Sequence, residues 1–197
     1  MKFTLIFDQE LPANGSPRDK WRIRKALHPQ LAELWREDPV LAQLAKSRVS
    51  YTVDQYLNER PDVRRESFGE QTEPGKLNYC APIKVKGVSC IPLVRASLDL
   101  ACTLNILFLR KGRPGNVILE SGDIDNRLKT LFDGLRMPSQ DEVNGIESKN
   151  GELPQPLYCV LEQDALINDF SVRTARRRPF PTASSGHHSA NAPGRRA

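Results

Sequence analysis

Between Leu98 and Phe108 the apolar side chains fall on every second position: Leu98, Leu100, Cys102, Leu104, Ile106 and Phe108. A period of two belongs to a strand with one buried face, and this is the best-marked strand of the chain. Further on the period changes. Ile124, Leu128, Leu131, Phe132 and Leu135 follow the i, i+4, i+7, i+8, i+11 spacing of a single helical stripe, which predicts a helix with acids at its start. Leu27, Leu31, Leu34 and Trp35 also recur at helical spacing, and Pro39 is placed to open a second, short helix. The opening MKFTLIFDQELP predicts a first strand, YCAPIKVKGVSCIPLV strands about a turn at Gly87, and PLYCVLEQDALINDFSVRT a last strand-like segment. NERPDVRRESFGEQTEPGK and the stretch 137–156 are polar and rich in Pro, Gly or Asn, which predicts loops. The end, ARRRPFPTASSGHHSANAPGRRA, lacks the apolar content to fold and is expected to be disordered. Strands and helices thus alternate, without internal repeats, in an expected α/β domain over 1–178, a mixed sheet flanked by helices, with a disordered basic tail over 179–197.

Composition narrows this picture a little. The 197 residues, 39% of them hydrophobic, suit one core. Four cysteines without a CxxC pair read as free thiols of a reducing compartment, and argue against a structural zinc site. The apolar run at the N-terminus is too short for a signal peptide, and no stretch is long enough to span a bilayer, so a cytoplasmic protein without membrane contact is expected. The net charge of +5 is a mild bias toward polyanions such as nucleic acid. Arg18, Lys20, Arg22, Arg24 and Lys25 crowd one stretch, and Arg110, Lys111 and Arg113 form a basic turn after the alternating strand. Each group reads either as phosphate-backbone contacts or as a solvated face. Arg173 and Arg176 to Arg178 stand in the same two lights, DNA contact or solubilising charge.

The segment SGDIDNRLKTLFDGL raises the chemical question. Asp123 and Asp125 can cap a helix, where orphan N–H groups and the positive end of the dipole welcome an acid. One cap is enough, however, and crowded carboxylates repel unless a cation neutralises them; hard oxygen donors of this kind suit Mg²⁺, with Mn²⁺ as a substitute. A metal there could activate water for phosphodiester hydrolysis, and Lys129, one helical turn beyond Asp125, could steady the developing charge. A third acid is wanted from a neighbouring strand. VLEQDALINDF offers Glu162 and Asp164, although Glu-Gln-Asp is also an ordinary surface turn. The histidines His28, His187 and His188 offer no ligand geometry.

GDIDNRLKTLFDGL followed by EQDALINDFSV resembles the RusA-type Holliday-junction resolvases. The likeness runs through Asp123, Asp125, Asn126 and Lys129, continues in Phe132, Asp133, Gly134 and Leu135, and ends on Asp164 before Ala165, Leu166 and Ile167. It covers roughly 98–174, with a vaguer echo in LPANGSPR. The resemblance implies a RusA-like α/β fold and a homodimeric, Mg²⁺-dependent endodeoxyribonuclease that nicks symmetry-related strands of a four-way DNA junction. It implies Asp123, Asp125 and Asp164 as metal ligands and catalytic acids, with Lys129 at the phosphate. Arg18, Lys20, Arg22, Arg24, Arg110, Lys111 and Arg113 are the expected DNA contacts.

The chain departs from the family in three places. Residues 136–158 look like an insertion, which makes Asp141 or Glu142 a rival third ligand. Gln163 stands where the family has the first acid of its usual pair. The region 21–76 is longer than a minimal resolvase needs, so flaps, forks or other branched DNA are alternative substrates, and a catalytically silent DNA-binding module is the alternative of another class. Asn126, Asp133 and Asn168 could support the ligands from behind, or serve simply as surface and turn residues.

Overall fold

The computed structural model describes residues 1–110, 124–144 and 154–176. The long helix α1 (Pro17–Glu37) begins earlier than its apolar spacing suggests, because Ser16 and Asp19 form a reciprocal capping box and Pro17 occupies the first turn. Asp38 then closes α1 and caps α2 (Pro39–Lys46) through the Val40 and Leu41 N–H groups. A third helix, α3 (Val53–Glu59), follows a Thr52/Gln55 capping box in a stretch that no period marks, and only its last two residues, Asn58 and Glu59, enter the segment expected to be loop. The expected first strand is not one. Residues 1–10 join no strand, and Ile6 bonds through its N–H and carbonyl to the Gln30 amide instead of a sheet. Leu5 and Phe7 still point to the core, so the alternation is real while the backbone partner is a helix side chain.

β1 (Ile83–Val85) and β2 (Val88–Val94) form a hairpin about Lys86 and Gly87, both at positive φ as a tight hairpin turn demands. β2 pairs in parallel with β4 (Leu157–Leu161), giving a sheet ordered β1-β2-β4. Beyond it, β3 (Cys102–Arg110) pairs in parallel with β5 (Ile167–Arg176) as a two-stranded arm. Thus the last strand-like segment is broken in two by the 3-10 turn Asp164–Leu166, as β2 and β3 are parted by the turn Ala96–Leu98. The mixed helix-and-strand character agrees with the expected α/β class.

α1 lies on β4 and against α4 (Ile124–Leu135), the helix of the apolar stripe; α5 (Gln140–Asn144) is a short helix within the region expected to be loop. Ile23, Leu27, Leu31 and Trp35 of α1 share the principal core with Leu93, Val94, Leu135, Val160 and Leu161. The thiols Cys80, Cys90 and Cys159 are buried, Cys102 is half-buried, and all four are free. Among the described residues no helix is long and apolar enough to cross a membrane. The expected tail, 179–197, lies outside the described residues.

The approach of α1 to α4 depends on a missing side chain. A Cβ on Gly134 would stand 2.7–2.8 Å from three atoms of Ile23, which is itself fully buried. Gly134→Ala should therefore destabilise the fold by about 1–3 kcal/mol through overpacking, overriding the gain of about 1 kcal/mol that alanine brings to a helix interior. Urea unfolding checks this, with Ile23→Ala in the same chain expected to make the second substitution less than additive.

Candidate functional site

α4 carries the candidate residues, and two sets of contacts fix it. At its first turns, the Arg127 guanidinium donates to the Leu11 carbonyl, and the Gly15 N–H donates to Thr130 Oγ1 at 2.8 Å. Thr130 Oγ1 also bonds back to the Asn126 carbonyl at 2.9 Å. A Cβ on Gly15 would fall 2.3 Å from Thr130 Cγ2, so the loop 11–16 comes this close because the residue is glycine. LPANGSPR is thereby laid along the beginning of α4.

At the other end, Arg24 reaches from α1 and donates to the Arg136 carbonyl (2.9 Å) and the Asp133 carbonyl (2.5 Å), the orphan carbonyls expected at a helix C-terminus. The same guanidinium pairs with Glu142 Oε2 at 2.8 Å and lies over the Trp21 ring at 5.5 Å. Lys20 bridges Asp133 at 2.7 Å and Glu142 at 3.1 Å, and Arg136 pairs with Asp133 at 3.0 Å. The Ser139 N–H donates to Glu142 Oε2, and Trp21 Nε1–H to the Glu142 carbonyl. Burial alone would raise the Glu142 pKa, but Arg24, Ser139, Arg136 and Lys20 together hold it below the usual carboxylate range. Burial likewise would raise the Asp133 pKa, but Lys20 and Arg136 outweigh it and hold the carboxyl below its ordinary range. The Lys20 ammonium is disfavoured by burial yet ends above its ordinary value because of Asp133 and Glu142.

This network corrects two expectations. Arg24 is 2% exposed and Lys20 is engaged by Asp133 and Glu142, so both hold the helices together and are not surfaces for DNA phosphate. Glu142, 5% exposed and fully engaged, is no rival metal ligand. Alternate basic positions 18, 20, 22 and 24 look like one cluster in sequence, but a helix turns them to two faces. Arg18 is exposed, and Arg22 is half-exposed with its guanidinium on the Glu10 carbonyl at 2.6 Å. Of the basic turn, Lys111 and Arg113 lie outside the described residues, as does the Arg110 side chain.

Asp125 and Lys129 stand exposed on α4 at i, i+4, hence on one side of it. Asp164 is exposed at the head of the 3-10 turn Asp164–Leu166, and that turn lies against α4. Asp123 lies outside the described residues. Among the described residues no three His, Cys, Asp or Glu side chains converge on one point. The two described carboxylates are the hard-oxygen donors that Mg²⁺ takes, and Asp141 is exposed on α5.

Glu162, which shares its segment with Asp164, has another task. Ser67 Oγ donates to one carboxylate oxygen and the Ala96 N–H to the other at 2.9 Å, while Glu162 N–H bonds the Val94 carbonyl. Beside it the fully buried Arg95 donates to the Ser67 and Ala81 carbonyls, both at 2.9 Å. His28 is also structural: the Tyr158 N–H donates to its Nδ1 at 3.1 Å. Comparison with protein-family models, curated proteins and solved structures finds no match for this chain.

The ion network sets a pH dependence. Because folding depresses the Glu142 and Asp133 pKa values, their contribution is full above the unfolded values of 4.5 and 3.8 and is lost as pH falls through the folded ones. Glu142→Gln should cost about 3–5 kcal/mol at neutral pH by leaving buried cations uncompensated. Unfolding titrations should show this gap narrowing as the solution is acidified below pH 4.5.

Proposed function

We propose that this chain is a Mg²⁺-dependent, structure-selective endodeoxyribonuclease of RusA type, which resolves four-way DNA junctions by paired nicks as a homodimer. One observation carries the reading: the fold packs the turn headed by exposed Asp164 against α4, whose first turns present exposed Asp125 and Lys129 on one side. Acids distant in sequence, from the DIDN and EQDAL segments, thus belong to touching elements, and Asp125 and Asp164 are both exposed there.

In this reading Asp125 and Asp164, with Asp123, hold Mg²⁺, which supplies an acidified water and charge neutralisation at the scissile phosphate. Lys129 places its ammonium where negative charge grows on the phosphate or leaving oxygen. Arg18, exposed in the first turn of α1, contacts the DNA backbone near α4. The clamped helix keeps Asp125 and Lys129 in fixed relation, so little reorganisation accompanies the reaction. Two such sites meet the near two-fold symmetry of a junction.

The test is cleavage of labelled junction, flap, fork, linear duplex and single strands, with Mg²⁺ and with EDTA. Symmetric, Mg²⁺-dependent nicks are expected in the junction alone. Asp125→Asn and Asp164→Asn should abolish them while changing junction affinity less than about tenfold, since phosphate contacts dominate binding. Lys129→Ala should slow cleavage by about 10²–10³-fold, as loss of an electrostatic stabiliser does. Mg²⁺ should also raise the melting temperature of the wild type and not of Asp125→Asn. Junction binding without cleavage would make Asp125 a helix cap on a silent DNA-binding module; nicking of flaps or forks instead would reassign the substrate.

A further inference from the structure

The β3-β5 arm is unfinished. β5 is a ten-residue strand without proline, and among the described residues its edge away from β3 has no strand partner. Such an edge presents a row of N–H and C=O groups ready to bond another strand. Parallel strands are ordinarily covered on both faces and pairs of strands are marginal alone. Here one face packs Phe170 edge-on against Phe132 of α4, ring centroids 5.3 Å apart, but the other carries Leu107 and Leu109, 58% and 62% exposed.

The side-chain order of β5 says what fits the edge. A two-fold axis perpendicular to a sheet keeps each side chain on its own face, so an antiparallel pair of identical strands must be centred on a residue. Centred on Ser171, Asp169 of each copy lies opposite Arg173 of the other, Asn168 opposite Thr174, and Phe170 opposite Val172 on the face that meets α4. Centring on Phe170 sets Asp169 against Ser171 and Arg173 against Ile167; centring on Val172 sets Asp169 against Ala175. Only the Ser171 register matches both charges, and directly opposite charged pairs favour or forbid a strand pairing according to sign. Asp169 and Arg173 are both exposed, whereas Ser171 is tied to its own sheet through Asn105 Oδ1 at 2.8 Å.

We propose that two copies of this chain join through the free edges of β5, antiparallel about Ser171, into a sheet ordered β3-β5-β5-β3. The proposal deepens the reading above by naming where the second copy sits, and none of its tests involves DNA cleavage. An inactive chain that still pairs this way leaves it standing, and an active one that pairs elsewhere overturns it.

The full-length chain is examined by sedimentation equilibrium and, after mild oxidation with oxidised glutathione, on a non-reducing gel. Wild type should be dimeric. Arg173→Asp, which sets Asp169 against an acid, should raise the dimer dissociation constant at least tenfold with circular dichroism and melting of the monomer unchanged. The exchange Asp169→Arg with Arg173→Asp should restore it. Ser171→Cys should form an intermolecular disulfide absent from wild type, because opposed Cα atoms about 4.5–5.5 Å apart fall within the span of about 4.4–6.8 Å that a disulfide bridges. A monomeric wild type, a dimer indifferent to Arg173→Asp, or a charge exchange that fails to restore pairing would each overturn the proposal. So would a loss of DNA affinity in Arg173→Asp with dimerisation intact, which makes Arg173 a backbone contact.

Discussion

The contact between Arg24 and Glu142 is the constraint on which the placement of α4 depends. Glu142 is buried on α5 and Arg24 on α1, and neither charge could stay there alone. Their solution is shared: the guanidinium also caps the last carbonyls of α4, and the carboxylate also takes Lys20, Arg136 and the Ser139 N–H. Three helices are therefore joined at a single point that tolerates little displacement, because any shift strands a charge or a carbonyl in the interior. With the loop 11–16 hydrogen-bonded to the opposite end, α4 is held along its length. Its outward residues, Asp125 and Lys129, consequently stand on a rigid support, which is what a precise site requires.

A second, half-buried carboxylate organises the strand crossing. Where β2 gives way to β3 and β4 to β5, Glu162 accepts from Ser67 and the Ala96 N–H, and Arg95 ties the same region to residues 67 and 81. The turn Asp164–Leu166 that follows Glu162 lies against α4. Glu142 and Glu162 on one side, Asp125 and Asp164 on the other, divide by environment. Glu142 is buried, Glu162 is half-buried, and both accept from named donors; Asp125 and Asp164 are exposed.

Much of this was legible from side-chain period alone. The alternation from Cys102 to Phe108 and the stripe from Leu128 to Leu135 are local facts, because strand and helix geometry repeat every two and every 3.6 residues whatever lies beyond. α3 and α5 escaped because short helices show too few turns for a stripe, though the Thr52/Gln55 and Ser139/Glu142 capping pairs were available signs. The opening segment was read as a strand and is not one, since the inward Leu5 and Phe7 report which side chains meet the core and not the partner that satisfies the backbone.

Charge was the property the sequence placed least well. The run Arg18, Lys20, Arg22, Arg24 suggested one basic patch, yet Arg24 lies on the face marked by Trp21, Leu27 and Leu31, a pattern that already hinted at burial. The sequence by itself determined the α/β class and the principal helices and strands, because these follow from local pattern. Only the tertiary structure decided which charges are structural, that the turn headed by Asp164 lies against the Asp125 helix, and that β5 has no second strand partner among the described residues. Those depend on which elements meet, and burial, pairing and exposure exist only after they have met.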